Sequence, residues 1–76
     1  MDIIYSILEE MRPEFDFRAS DDFVEEGLLD SFDIVTLVAE LESRFQIVVD
    51  ALDILPENFS SAEAIAEVVK KSGGQL

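Results

Sequence analysis

The chain of 76 residues has no cysteine and no histidine, and only five basic residues stand against eighteen acidic ones. Each shortage excludes something. Without cysteine there is neither a disulfide framework nor a thiolate metal site. Without histidine the commonest metal ligand is missing, and no metal site is expected. A serine nucleophile would also lack its usual base, and with no Ser–Lys signature in its place a hydrolase is remote. Long hydrophobic runs are missing too, far short of the roughly 20 residues that span a bilayer. No basic leader followed by an apolar stretch opens the chain, so no secretory signal is read and the cytoplasm is the expected compartment. A net charge of −13 disfavours nucleic acid and anionic membrane surfaces as partners. A basic protein surface is the natural complement, although the same acids also confer plain solubility.

What is present is apolar periodicity. About half the residues are hydrophobic, too many for a disordered acidic tail, and the length suits one domain over 1–76. Ile3, Ile4, Ile7, Leu8 and Met11 follow helical spacing, with Asp2 suited to the first turn and Pro13 ending the helix at or before Arg12. Residues 13–30 show no helical stripe. Phe15, Phe17, Phe23, Leu28 and Leu29 are scattered along them, which predicts a long connection pinned to the core. Within it, Ser20 or Asp21 could cap a single helical turn, and Gly27 suits a positive φ.

Ile34, Leu37, Val38, Leu41 and Phe45 predict a second helix over 31–45, with Asp30 at the N-cap. "QIVVD" reads as an extended connector that sinks Ile47 and Val49. "DALDIL" predicts a short helix capped by Asp50 and ended by Pro56. In the last helix Ser60 and Glu63 have capping-box spacing, and Ile65, Val68 and Val69 share a face. Lys70 and Lys71 suit its negative end, and Gly73 and Gly74 end it. The expected fold is all-α, a four-helix bundle (three long helices, one short) with a long first loop.

Ser31 stands at the start of the second helix, between Asp30 and Phe32. Serine is a good N-cap, so a structural role is open. If Asp30 is the cap, Ser31 falls at the first helical position with its hydroxyl free for chemistry done by another protein. "SDDFVEEGLLDSFD" holds six acids and no base, either a solvated loop or a steering surface. No window in it has the alternating oxygen ligands and final Glu of a calcium loop.

"GLLDSF", "VTLVAELESRFQI" and "PENFSSAEAIAEVV", together with the helix order and long first loop, resemble the acyl carrier and peptidyl carrier protein family. The family's Asp-Ser-Leu/Met pattern is answered by Asp30-Ser31-Phe32, with Phe a departure. "GLLDS" is most similar to freestanding carriers served by separate adenylating enzymes, such as the D-alanine carriers of teichoic acid tailoring. The resemblance implies a monomeric, non-enzymatic carrier. Its Ser31 would bear 4′-phosphopantetheine, attached from coenzyme A by a phosphopantetheinyl transferase, and acyl or aminoacyl groups would ride on it as thioesters. An adenylating ligase would load it, and a downstream acyltransferase or synthase would unload it. The resemblance also implies partner contacts at Phe32, Val35, Ala39, Glu40 and Glu42. A family acid position is Ser43 here. From composition alone, an unmodified acidic module docking on a basic protein is the alternative.

Overall fold

The apolar spacing of the first segment winds into a helix. In the computed structural model, which describes residues 2–76, helix α1 spans Asp2–Met11 and buries Ile4, Ile7 and Leu8. The Arg12 N–H still donates to the Leu8 carbonyl at 2.9 Å. Pro13 follows and disfavours helical geometry at the residue before it. Ile3 is largely outside the core, and Met11 packs at its edge.

The long connection is tethered rather than loose. Phe17, Phe23 and Leu29 are buried, and the Phe17 ring meets Phe23 edge-on at 5.2 Å. Phe17–Ala19 form a 3-10 turn that the scattered pattern did not announce. A second turn follows, and its cap is Asp22 rather than Ser20 or Asp21. Asp22 Oδ1 accepts the N–H groups of Val24 at 3.1 Å and Glu25 at 2.9 Å. Ser20 Oγ and the Asp21 N–H instead donate to the Glu26 carboxylate. Gly27 closes the turn at φ +78°, a conformation open to glycine without steric cost. The Phe23 N–H donates to the Ser60 carbonyl at 2.8 Å and so joins this loop to the approach of the last helix.

Helix α2 spans Ser31–Phe45 and turns Ile34, Leu37, Val38 and Leu41 inward, while Phe45 lies at the core edge. Beyond it Ile47 and Val49 are buried and Val48 points out, the alternation expected of an extended connector. The expected short helix is replaced by two 3-10 turns. Ala51–Asp53 are capped by Asp50, whose carboxylate accepts the Leu52 N–H at 2.9 Å, and bury no residue. Pro56 begins the second turn, Pro56–Phe59, instead of ending the first. So short a segment with little to bury gains few bonds for its nucleation cost, and Pro56 is tolerated only at a helical start. Among the described residues the fold is therefore three α-helices joined by irregular segments and 3-10 turns, with no strand.

Helix α3 spans Ala62–Lys71 and buries Ala62, Ile65, Ala66, Val68 and Val69. Its cap is Ser61, whose Oγ accepts the Ala64 N–H at 3.1 Å; the expected Ser60–Glu63 box is displaced by one residue. Ser60 Oγ donates instead to the Glu57 carbonyl. At the other end the N–H groups of Gly73 and Gly74 return to the carbonyls of Lys70 and Val69, the paired bonds of a Schellman motif. A Cβ on Gly74 would collide with the Val69 side chain. Helix α1 packs on both α2 and α3, and the Pro56–Phe59 turn packs on α3. No helix among the described residues is long and apolar enough to cross a membrane.

Candidate functional site

Asp30 decides what Ser31 can do. Its backbone is extended, at φ −101° and ψ −176°, and Oδ1 accepts the Asp33 N–H at 2.8 Å. The Asp33 carboxylate reaches back to the Asp30 N–H at 3.2 Å, which completes a capping box built from two aspartates. The cap is therefore occupied, and Ser31 becomes the first helical residue, exposed to solvent.

Asp33 does not project toward the serine's surroundings as a free charge. It is buried, and Arg12 at the end of α1 holds it. Arg12 Nη2 donates to Oδ1 at 2.9 Å and to Oδ2 at 3.1 Å, and Nε donates to Oδ1 at 3.2 Å. Burial opposes the charged carboxylate, but the Arg12 hydrogen bonds, the contacts with Asp30 and the Arg12 charge outweigh it. They hold Asp33 below its ordinary value. The same hydrogen bonds and charge raise Arg12 further above its already high value. Sequence reasoning missed this pair. The sequence pointed to Asp30 as the cap, but neither the reciprocal bond from Asp33 nor the reach of Arg12 was anticipated.

Around Ser31 the surface is apolar. Phe32 is 75% exposed and Val35 63% exposed, and one turn apart they form an apolar patch beside the serine. Ser31, Ile34, Val35, Ile54 and Pro56 line a shallow depression of about 180 Å³. Ile54 and Pro56 reach this edge through the 3-10 segment and were not anticipated as part of the site. Ala39 is exposed farther along α2. Glu40 accepts from Arg44 Nε at 3.3 Å. Glu42 is half-buried, and its Oε2 accepts the Val49 N–H at 2.9 Å, so one oxygen of this expected partner contact already fastens the connector. A larger hollow elsewhere has several polar and charged residues in its wall, among them Asp53, Asn58 and Glu67. Among the described residues no group of three or more acids is placed to hold a metal ion.

The site thus defines a class: a helical domain that offers one serine hydroxyl at a helix N-terminus, with no base of its own, beside an apolar surface. A family model described as "phosphopantetheine attachment site" matches residues 2–69, and the chain belongs to that family. No curated protein and no solved structure matches the chain. Membership implies a covalently attached 4′-phosphopantetheine. The residues fit it. Ser31 offers an exposed hydroxyl with no capping duty. The Ser31 and Phe32 N–H groups, in the first turn, lie too early for intrahelical partners, at the end of the helix that favours an anion. The chain is a carrier domain.

Proposed function

We propose that the domain carries acyl or aminoacyl groups between separate enzymes, loaded at Ser31 and docking through the apolar surface of Phe32, Val35 and Ala39. The observation that carries the reading is the exposed first-position serine whose capping role Asp30 has taken. In loading, Ser31 Oγ bonds to the phosphorus that carries the pantetheine arm in coenzyme A. The diphosphate P–O bond breaks, adenosine 3′,5′-bisphosphate leaves, and the hydroxyl proton passes to a base of the transferase. That division of labour accounts for a serine with no histidine in its own chain. When bound, 4′-phosphopantetheine supplies the thiol that this cysteine-free chain lacks, on which cargo is held as a thioester.

The likeness of "GLLDS" to freestanding D-alanine carriers supports a small aminoacyl cargo, an adenylating ligase as loading partner and an acyltransferase or synthase as recipient. Glu40 and Glu42 would add charge at the margin of the docking face. The reading is of a monomer acting in the cytoplasm, where coenzyme A is at hand, and not of an enzyme. Intact mass after incubation with coenzyme A and a broad-specificity phosphopantetheinyl transferase tests the attachment. One added phosphopantetheine on the wild type, and none on Ser31→Ala, is expected. An unmodified wild type across several transferases would instead favour the acidic module that only docks.

A further inference from the structure

Five basic residues serve the whole chain, and their placement is uneven. Arg18 lies over the Tyr5 ring at 4.5 Å and reaches Asp2 and Glu9. Arg44 joins Glu10 to Glu40, Lys70 pairs with Glu67, and Lys71 pairs with Asp53. Among the described residues only Arg12 is paired at the start of α2, and it does so across 21 residues of sequence. The interaction is a three-bond grip on one carboxylate, not a single surface contact.

Resting on the carrier reading above, we propose that Arg12 is a positioning residue for the modification of Ser31. By gripping Asp33 it holds the first turn of α2, and it cancels a negative charge two residues from the serine. Asp33 is 7% exposed. Without Arg12 its charge would be left buried and unpaired, an arrangement proteins avoid by rearranging. Asp33 would swing toward solvent and release the Asp30 N–H, and the reciprocal cap would come apart. Ser31 would then start a frayed turn, with a freed carboxylate near the path of the anionic diphosphate of coenzyme A. The other charged groups facing the pair are Asp30 and Glu14, the latter 3.7 Å from Arg12 Nη1. Neither can replace the lost cation.

The test measures phosphopantetheine incorporation by intact mass, with coenzyme A and a broad-specificity transferase. Carrier concentration is varied so that kcat and KM separate. Circular dichroism fixes a temperature at which each compared variant is folded. Arg12→Gln is expected to lower kcat for loading roughly tenfold with a smaller change in KM, as for a misplaced reacting group. Arg12→Lys keeps the charge without the forked grip and falls between. Asp33→Asn added to Arg12→Gln removes the orphaned charge and keeps an amide oxygen for the Asp30 N–H, so kcat recovers most of the way. Wild-type kcat and KM in Arg12→Gln would overturn the proposal while leaving the carrier reading intact. A rise in KM alone would make Arg12 a docking contact and also overturn it. If Arg12→Gln does not fold, the folded Arg12→Lys and double variant decide: the proposal requires a lowered kcat in the first and near recovery in the second. Failure of the wild type to load would sink the carrier reading instead.

Discussion

Helices α2 and α3 both have a serine at the N-terminus, and the two serines do opposite work. At α3, Ser61 is the cap and spends its hydroxyl on the Ala64 N–H. At α2, Asp30 takes that role one residue earlier, and Ser31 keeps its hydroxyl exposed. The residue type is the same, and a single position of offset separates a serine that caps from one whose hydroxyl is left free. The second difference lies behind the caps. The Ser61 cap is made within one segment, whereas the Asp30–Asp33 box is fastened to α1 through Arg12. The helix start that leaves its serine exposed is the one braced by another helix.

The comparison breaks most sharply at the level of modification. Ser31→Ala should abolish phosphopantetheine addition, and Ser61→Ala should leave it at the wild-type extent; intact mass reads both. Addition to the Ser31→Ala protein would mean that the two serines are not divided as described.

In stability the order reverses. Ser61→Ala should cost about 1 kcal/mol, the usual loss for a removed N-cap. Ser31→Ala should stay within about 0.5 kcal/mol, as expected of an exposed residue free of capping duty. Urea unfolding of both variants measures the difference. Equal losses would place Ser31 in a capping role that the geometry assigns to Asp30.

How far the sequence disclosed this division depends on distance along the chain. The inward stripe of α2 was legible because Ile34, Leu37, Val38 and Leu41 repeat at helical spacing and report one buried face. Asp30 was legible as a cap for the same local reason. Ser61 was not separable from Ser60, since both precede an apolar run. A tertiary bond, from the Phe23 N–H to the Ser60 carbonyl, fixes Ser60 in the approach to the helix. Arg12 was illegible as a partner of Asp33 because the connection that brings them together has no periodicity; its path is set by the burial of Phe17, Phe23 and Leu29. The short helix expected over 50–55 resolved into 3-10 turns because an apt cap at Asp50 does not supply apolar surface to bury.

The brace behind α2 also has a pH signature that the Ser61 cap of α3 lacks. Asp33 is held below its ordinary value in the fold. Its contribution is therefore fully present above the ordinary carboxylate value and is lost as pH falls through the lower, folded value. Relief of the −13 net charge on acidification acts in the opposite direction. The informative quantity is thus the gap in melting temperature between wild type and Asp33→Asn. That gap should be widest near neutrality and close as the solution is acidified below the carboxylate range. A gap constant with pH would mean that the Asp33 charge adds nothing to the fold.

The smallest expected effect on stability belongs to the surface beside Ser31, and it separates folding from recognition within α2 itself. Val35 is 63% exposed, so Val35→Ala removes little buried area and should change stability by less than about 0.5 kcal/mol. Leu41 lies on the opposite, inward face with no exposure, and Leu41→Ala should cost about 2–5 kcal/mol through lost contacts and a residual cavity. If the exposed apolar face is where enzymes dock, the order inverts in kinetics. Val35→Ala should raise KM for loading several-fold, because the transferase must touch the carrier one turn from the serine it modifies. Leu41→Ala, assayed cold enough to remain folded, should load with near wild-type KM. Melting temperature and loading KM for the two variants settle the matter together. A Val35→Ala protein that melts and loads like wild type would leave the core as described and move the docking face away from Val35.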